Sequence, residues 1–236
     1  MSYVAFVPAR SGSKRLPGKN VKLLAGKPLV VWTLEACANS VRISHVVFST
    51  DSEEYWEIVQ RYLKSDKLVL DFRSPDEAGD NIKIFDYLKA GYQRIFRDYG
   101  RNFVMALPTV PFRRTKHIDA AILLFEQYKQ PVFSATTYGF PISFAFHVDE
   151  QDGWSPVFPD GAMVTGNTRS QDQRVAYHPN GAVYVRSVAD LAQPDLRTLY
   201  QGARPYLMDR DVSLDIDNEI DFAIAETLMK SGYVSG

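Results

Sequence analysis

Four cationic side chains crowd one stretch near the start of the chain. Arg10, Lys14, Arg15 and Lys19 stand among small residues in Pro8-Ala9-Arg10-Ser11-Gly12-Ser13-Lys14-Arg15-Leu16-Pro17-Gly18-Lys19-Asn20. Guanidinium and ammonium groups neutralise phosphate, and Gly12 and Gly18 let backbone N–H groups come close to a ligand, so the chemistry on offer is polyphosphate binding. The spacing is not that of a P-loop. Five residues rather than four separate Gly12 from Gly18-Lys19, Asn20 stands where Ser or Thr would hold magnesium, and Pro17 lies inside the loop. The glycines do not fit the dinucleotide-binding pattern either. A solvated basic loop would carry the same charges, but these cations are confined to one junction in a chain whose net charge is only −1.

A second constellation lies near the other end, in Val212-Ser213-Leu214-Asp215-Ile216-Asp217-Asn218-Glu219-Ile220-Asp221-Phe222. Extended geometry would turn Leu214 and Ile216 into the core and Asp215 and Asp217 together to the other side. Two adjacent carboxylates suit Mg²⁺, which takes one or two of them and completes its shell with phosphate oxygens and water. The same stretch also suits a helix start near Asn218, capped by Asp217, with Glu219 and Asp221 at the positive end of the helix. His45, His117, His147 and His178 show no metal-ligand spacing. Cys37, the single cysteine, sits in an apolar run and reads as a core residue.

The elements that must position these groups alternate. Val4 to Val7 is a continuous apolar run ending at Pro8, the pattern of a strand buried on both faces and emptying into the basic loop. Pro28 to Ala38 reads as a helix and His45 to Ser49 as a strand. Asp51 with Glu54 reads as a capping pair opening a helix over 52–64, whose Tyr55, Val59, Tyr62 and Leu63 share a face. Leu68 to Phe72 is strand-like and 73–81 is loop. A helix then follows through Phe85, Leu88, Tyr92, Ile95 and Phe96, with a strand from Phe103 to Leu107 after it. Leu107-Pro108-Thr109-Val110-Pro111-Phe112-Arg113-Arg114 is an extended loop held by two prolines, and Thr115 begins a helix through Gln127. Such alternation predicts an α/β fold with a doubly wound, mostly parallel sheet, in which ligands sit beyond the carboxyl ends of the strands. The alternation breaks after Val132 to Thr136. Gly139 to Val175 holds many aromatics with turn signals at Asp152-Gly153 and Asp160-Gly161, which predicts an inserted antiparallel arm. Tyr177 to Val185 returns to strand, with Asn180-Gly181 read as a turn before it.

The ordered run from Pro8 to Asn20 resembles the nucleotide-binding signature of the acylneuraminate cytidylyltransferases. That resemblance extends through further landmarks across the chain. It implies a Rossmann-like nucleotidyltransferase domain over 1–138 and 177–236, with 139–176 as an inserted dimerisation arm. It places Ala9, Arg10, Ser13, Lys14, Lys19, Asn20 and Arg73 at the nucleotide, with Arg73 and its loop framing cytosine. Asp215 and Asp217 would hold Mg²⁺, and Arg10, Lys14 and Asp215 would be the catalytic groups. The segment at Leu107 and Thr109 and the Asn180-Gly181-Ala182 motif would face the sugar, with Arg169 reaching it from the arm. Two departures stand out: Leu107 occupies a position usually held by Gln, and Ser170 one often held by a second Arg. The implied reaction joins CTP to a nine-carbon sialic-type (nonulosonic) acid, with release of pyrophosphate. A metal-dependent glycosyltransferase would share the Asp-x-Asp, and a catalytically silent sugar-nucleotide-binding protein is a further alternative.

The bulk properties set the frame. At 236 residues with 13% aromatics and 23% charged residues, the chain can bury one sizeable α/β core. The near-neutral balance gives no electrostatic case for nucleic acid, so any phosphate affinity must be local. No apolar run is long enough to span a bilayer, and the sequence enters its first strand without a signal segment. A homodimer in the cytoplasm, with no membrane partner, is the expectation.

Overall fold

The computed structural model describes residues 2–97 and 99–233. Its elements run in the order β1 (Tyr3–Pro8), a hairpin of β2 (Leu23–Leu24) and β3 (Lys27–Pro28), α1 (Leu29–Ala38), β4 (Ile43–Thr50), α2 (Glu53–Tyr62), β5 (Leu68–Phe72), α3 (Ile84–Phe96) and β6 (Asn102–Met105). There follow α4 (Thr115–Tyr128), β7 (Val132–Thr137), β8 (Phe146–Val148), β9 (Trp154–Pro156), α5 (Ala162–Thr165), β10 (Tyr177–Ser187), β11 (Arg204–Leu207) and α6 (Glu219–Lys230). Seven strands form one sheet in the order β11-β7-β10-β6-β1-β4-β5. β1 pairs in parallel with both β4 and β6, and only β10 runs antiparallel to its neighbours. The mostly parallel sheet with flanking helices is the architecture that the sequence predicts.

Tyr3 to Val7 are fully buried because β1 lies mid-sheet with a hydrophobic layer on each face. Ala5 and Val7 point into the layer formed with α1, α2 and α4, and Val4 and Phe6 into the layer formed with α3. From β1 the chain winds outward through β4 and β5, then returns to place β6 on the other side of β1. The crevice beyond the carboxyl ends of β1 and β6 is therefore the topological switch point, the usual ligand position in such sheets. A third, smaller core joins Leu16 of the basic loop, Leu24, Leu29, Phe112 and Ile216 to Phe222 and Ala225 of α6. This cluster binds the two ends of the chain that carry the chemistry.

Three local readings need correction. Asp51 does not cap α2. Ser52 does so, its hydroxyl accepting from the Tyr55 amide at 3.2 Å, and the Asp51 carboxylate turns back to Ser11. Asn180-Gly181 is not a turn before a strand but a bulge inside β10, where the register against β7 slips between Pro179 and Tyr184 and Gly181 takes φ +75°. The positive φ favours glycine here, and a Cβ at Gly181 would lie 2.9 Å from Leu107 Cδ1, which would have to move aside. Residues 213–217 form no strand and join no ladder: the Ile216 amide instead donates to the Thr109 carbonyl at 2.8 Å. The alternation of faces survives, with Ile216 buried and Asp215 open. The arm holds a three-residue ladder between β8 and β9 and leaves Phe140, Phe146, Trp154 and Val175 exposed.

His117, near the start of α4, is buried and accepts at Nδ1 from the Arg114 amide at 3.1 Å. Burial, reinforced by Lys116, Arg114 and Arg113 and opposed by Asp209, lowers its pKa from 6.5 to about 4. Below pH 6.5 the unfolded chain takes up a proton that the folded chain refuses until about pH 4, so this residue makes stability fall across that window. In His117→Asn, which keeps an acceptor, the urea midpoint should gain on wild type as pH drops from 7 to 4.5. An equal offset at both pH values would contradict this.

Candidate active site

A cleft of about 510 Å³ opens at the switch point, lined by Arg10, Ser13, Lys14, Arg15, Lys19, Asn20, Arg73, Asp80, Ile82, Ile84, Leu107, Thr109 and Asp217 among others. Nine of the residues singled out from sequence are thus gathered on one surface. The basic loop is fixed from beneath. The Asp51 carboxylate, at the end of β4, accepts from both the amide and the hydroxyl of Ser11 at 2.8 Å. Asn20 is buried and donates to the Arg10 carbonyl at 3.0 Å, while Gly18 turns the chain at φ +66°. Ala9 is buried behind the loop, its amide bound to the Ser49 carbonyl, so it supports the cleft through the backbone.

Lys19 joins the two halves of the chemistry. Its ammonium donates to the Ile216 carbonyl at 2.7 Å and lies 3.6 Å from the Asp217 carboxylate, which also pairs with Arg15 at 2.8 Å. The cap of α6 is Asn218, whose side chain accepts from the amides of Ile220 and Asp221, and Asp221 returns a bond to the Asn218 amide. Asp217 is therefore not used as a cap. Asp215 accepts a hydrogen bond from Thr109. Its carboxyl is nevertheless held above the usual carboxylate range, first by the surrounding protein and then by the like charge of Asp217. A cation at this pair would relieve that repulsion, and two carboxylates are what Mg²⁺ uses when phosphate and water complete its shell. Among the described residues no group of three or more His, Cys, Asp or Glu side chains forms a fuller metal cage. The donors fit a nucleotide-bound Mg²⁺ better than an all-protein site.

Arg73 is buried at the back of the cleft, donating to the Ser49 carbonyl at 3.1 Å with its guanidinium 5.5 Å from the Tyr87 ring centre. Tyr87 is itself held by Asp71, which also accepts from Ser49 and pairs with Arg94. Asp215 lies outside the cleft lining beside Asp217, and two further sequence candidates stand apart from it. Asn180 is buried, donating to Ser213 Oγ at 2.8 Å and accepting from the Ala182 amide at 3.2 Å, so its polar atoms hold the bulge to the carboxylate segment. Arg169 is exposed on the arm, 3.7 Å from Asp172.

Sequence reasoning gives Asp51 only a capping role and passes over Asp80. Asp51 carries a signal, as a lone acid at the end of a strand facing a loop with a free serine. Asp80 carries none that separates it from its acidic neighbours Asp76 and Glu77. Its carboxylate bridges Arg10 at 2.8 Å and Lys14 at 2.7 Å, and the Lys14 bond is the largest influence holding its pKa below the ordinary value. A triphosphate that used the same two cations would have to displace it. In Asp80→Ala the KM for the nucleotide should therefore fall, by roughly 2–5-fold for so exposed a pair. A rise in KM would show that Asp80 helps the ligand rather than competing with it.

Residues 4–82 match the family described as Cytidylyltransferase. An N-acylneuraminate cytidylyltransferase of Escherichia coli O18:K1:H7 is 34% identical over 232 residues, covering 96% of this chain and 52% of that protein. A CMP-N,N'-diacetyllegionaminic acid synthase of Legionella pneumophila is 30% identical over 239 residues, covering 98% and 97%. A pseudaminic acid cytidylyltransferase of Campylobacter jejuni is 28% identical over 243 residues, covering 100% and 99%. This chain thus spans about half the length of the first relative and nearly all of the other two. A solved structure of CMP:2-keto-3-deoxy-manno-octonic acid synthetase complexed with CTP superposes with a TM-score of 0.68 at 15% identity, covering 98% of this chain and 99% of that one. A 4-diphosphocytidyl-2C-methyl-D-erythritol synthase from Anaerococcus prevotii superposes at 0.64 with 11% identity, covering 97% and 96%. Both of these likenesses concern the fold.

Proposed function

This chain belongs to the acylneuraminate cytidylyltransferase family, and from that membership we propose that it couples CTP to a nonulosonic acid, giving the CMP-sugar and pyrophosphate. The observation that carries the reading is the convergence of Arg10, Lys14 and Lys19 with Asp217 on one cleft, with Asp215 bonded to Thr109 at its edge. Arg10 and Lys14 bind and neutralise the triphosphate once it replaces Asp80, and Lys19 holds the carboxylate segment against the loop. Arg73 frames the cytosine side of the cleft. Asp215 and Asp217 would hold Mg²⁺, which supplies positive charge where the pyrophosphate leaves. The protein contribution is thus positioning and charge neutralisation on preorganised groups. Phosphorus NMR of a mixture with CTP and a sugar acid should show a new phosphodiester and pyrophosphate in equal amounts. Formation of CDP, or no change, would contradict the reading.

The sugar acid is the finer question. Leu107 lines the cleft with Ile82 and Ile84, so an apolar wall stands where an amide would offer hydrogen bonds. A substrate hydroxyl or amide facing that wall loses its partner, and sites discriminate strongly on this ground. The proposed substrate is therefore a less hydroxylated, 9-deoxy acid such as pseudaminate or legionaminate. Its kcat/KM should exceed that of N-acetylneuraminate by at least about 10-fold, and Leu107→Gln should narrow the gap. A preference for N-acetylneuraminate would overturn the role given to Leu107.

The exposed aromatics of the arm support a further part of the proposal. Phe140, Phe146 and Trp154 offer an apolar surface that a second copy of the chain would cover, bringing Arg169 towards the partner's cleft. None of the helices among the described residues is long and apolar enough to cross a membrane, and the cytoplasm is the proposed compartment.

A further inference from the structure

Arg113 is 1% exposed and has no carboxylate partner among its hydrogen bonds. Its guanidinium donates from Nη1 to the Val110 carbonyl at 3.0 Å, and from Nη2 to the Leu107 carbonyl at 3.3 Å and to Thr33 Oγ1 on α1. Nε has no partner. Burying a charged group on neutral acceptors alone is costly, and an apolar side chain of similar length would fill the space more cheaply. Burial accordingly lowers its pKa to about 10. What the fork achieves is geometric. It grips the two carbonyls on either side of Pro108-Thr109, a segment in which Pro108 has no amide to donate, and ties them to α1. Thr109 in turn accepts from the Ile216 amide at 2.8 Å and bonds Asp215. An unbroken series of contacts thus runs from Thr33 through Arg113 and Thr109 to the carboxylate segment.

We propose that Arg113 is a positioning residue for the reaction: by clamping Leu107 and Val110 it sets Thr109, and through Thr109 it sets Asp215 against the cleft. This inference rests on the proposed reading of Asp215. Arg113 is buried and does not line the cleft, so its effect must pass through Thr109 and must depend on it.

The test is a double-mutant cycle with Arg113→Met and Thr109→Val, measuring kcat alongside the Kd for CTP without sugar acid. Arg113→Met should lower kcat by about 10–100-fold while leaving that Kd within about 3-fold, and Arg113→Lys should recover part of the loss. In the Thr109→Val background the same change should cost less than about 3-fold further, because the side-chain bond that orients Asp215 is already gone. Should Arg113→Met fail to fold, Thr33→Val and Arg113→Lys serve in the same cycle. Losses that multiply across the cycle, or an unchanged kcat, would overturn the proposal. A wild-type protein that forms no CMP-sugar would instead refute the functional reading.

Discussion

Asp215→Asn should lower kcat by on the order of 1,000-fold while the fold and the affinity for CTP stay within a few-fold of wild type. The amide is isosteric and still accepts from Thr109, so the local geometry has no reason to change. What disappears is one of the two negative charges that would hold the cation, and with it several kcal/mol of stabilisation of the departing pyrophosphate. Calorimetric titration with CTP separates the two effects, because on the proposed reading binding draws mainly on Arg10 and Lys14. Full activity of the variant at limiting metal would remove Asp215 from the metal site.

Lys19→Met should be nearly as damaging, for a different reason. The Lys19 side chain is 12% exposed, its ammonium bound to the Ile216 carbonyl and close to Asp217. Its loss leaves a carbonyl without a donor and leaves two neighbouring carboxylates less compensated, and it would remove the phosphate contact proposed for Lys19. Removing one preorganised charged donor of this kind costs on the order of 100–1,000-fold in kcat/KM. Here the loss should be shared between a higher KM for CTP and a lower kcat, in contrast to the nearly pure kcat effect at Asp215. Lys19→Arg should restore binding better than turnover, since the fork cannot reproduce the single short bond to Ile216. A loss below about 3-fold would show that Lys19 is only part of the packing.

Both residues were legible in the sequence because each sits in a pattern with a direct physical meaning. The run Val4 to Val7 could only be a strand buried on both faces, which placed the cations of the following loop at the end of a parallel sheet. Likewise Leu214-Asp215-Ile216-Asp217 announced which side chains face the core, although nothing local revealed that the segment joins no sheet. That depends on Ile216 meeting Thr109, about a hundred residues away in the chain. The bulge at Asn180-Gly181 was invisible for the same reason, since it shows only in the register of β10 against β7. Asp80 and Arg113 were hidden more deeply. An acid in an acidic loop and an arginine beside another arginine look alike from sequence, and only the tertiary fold distinguishes the carboxylate that occupies a cationic cradle or the guanidinium buried among carbonyls. Cys37, by contrast, was assigned to the core from its neighbours alone, and burial raises its thiol pKa to about 11.

The central claim is tested most directly by pyrophosphate release across a matrix of four nucleoside triphosphates and three acids, N-acetylneuraminate, pseudaminate and legionaminate. The account predicts release that requires both substrates, is highest with CTP, leaks modestly to UTP, and favours a 9-deoxy acid. Equal efficiency with ATP, or release that does not need the sugar acid, would contradict it.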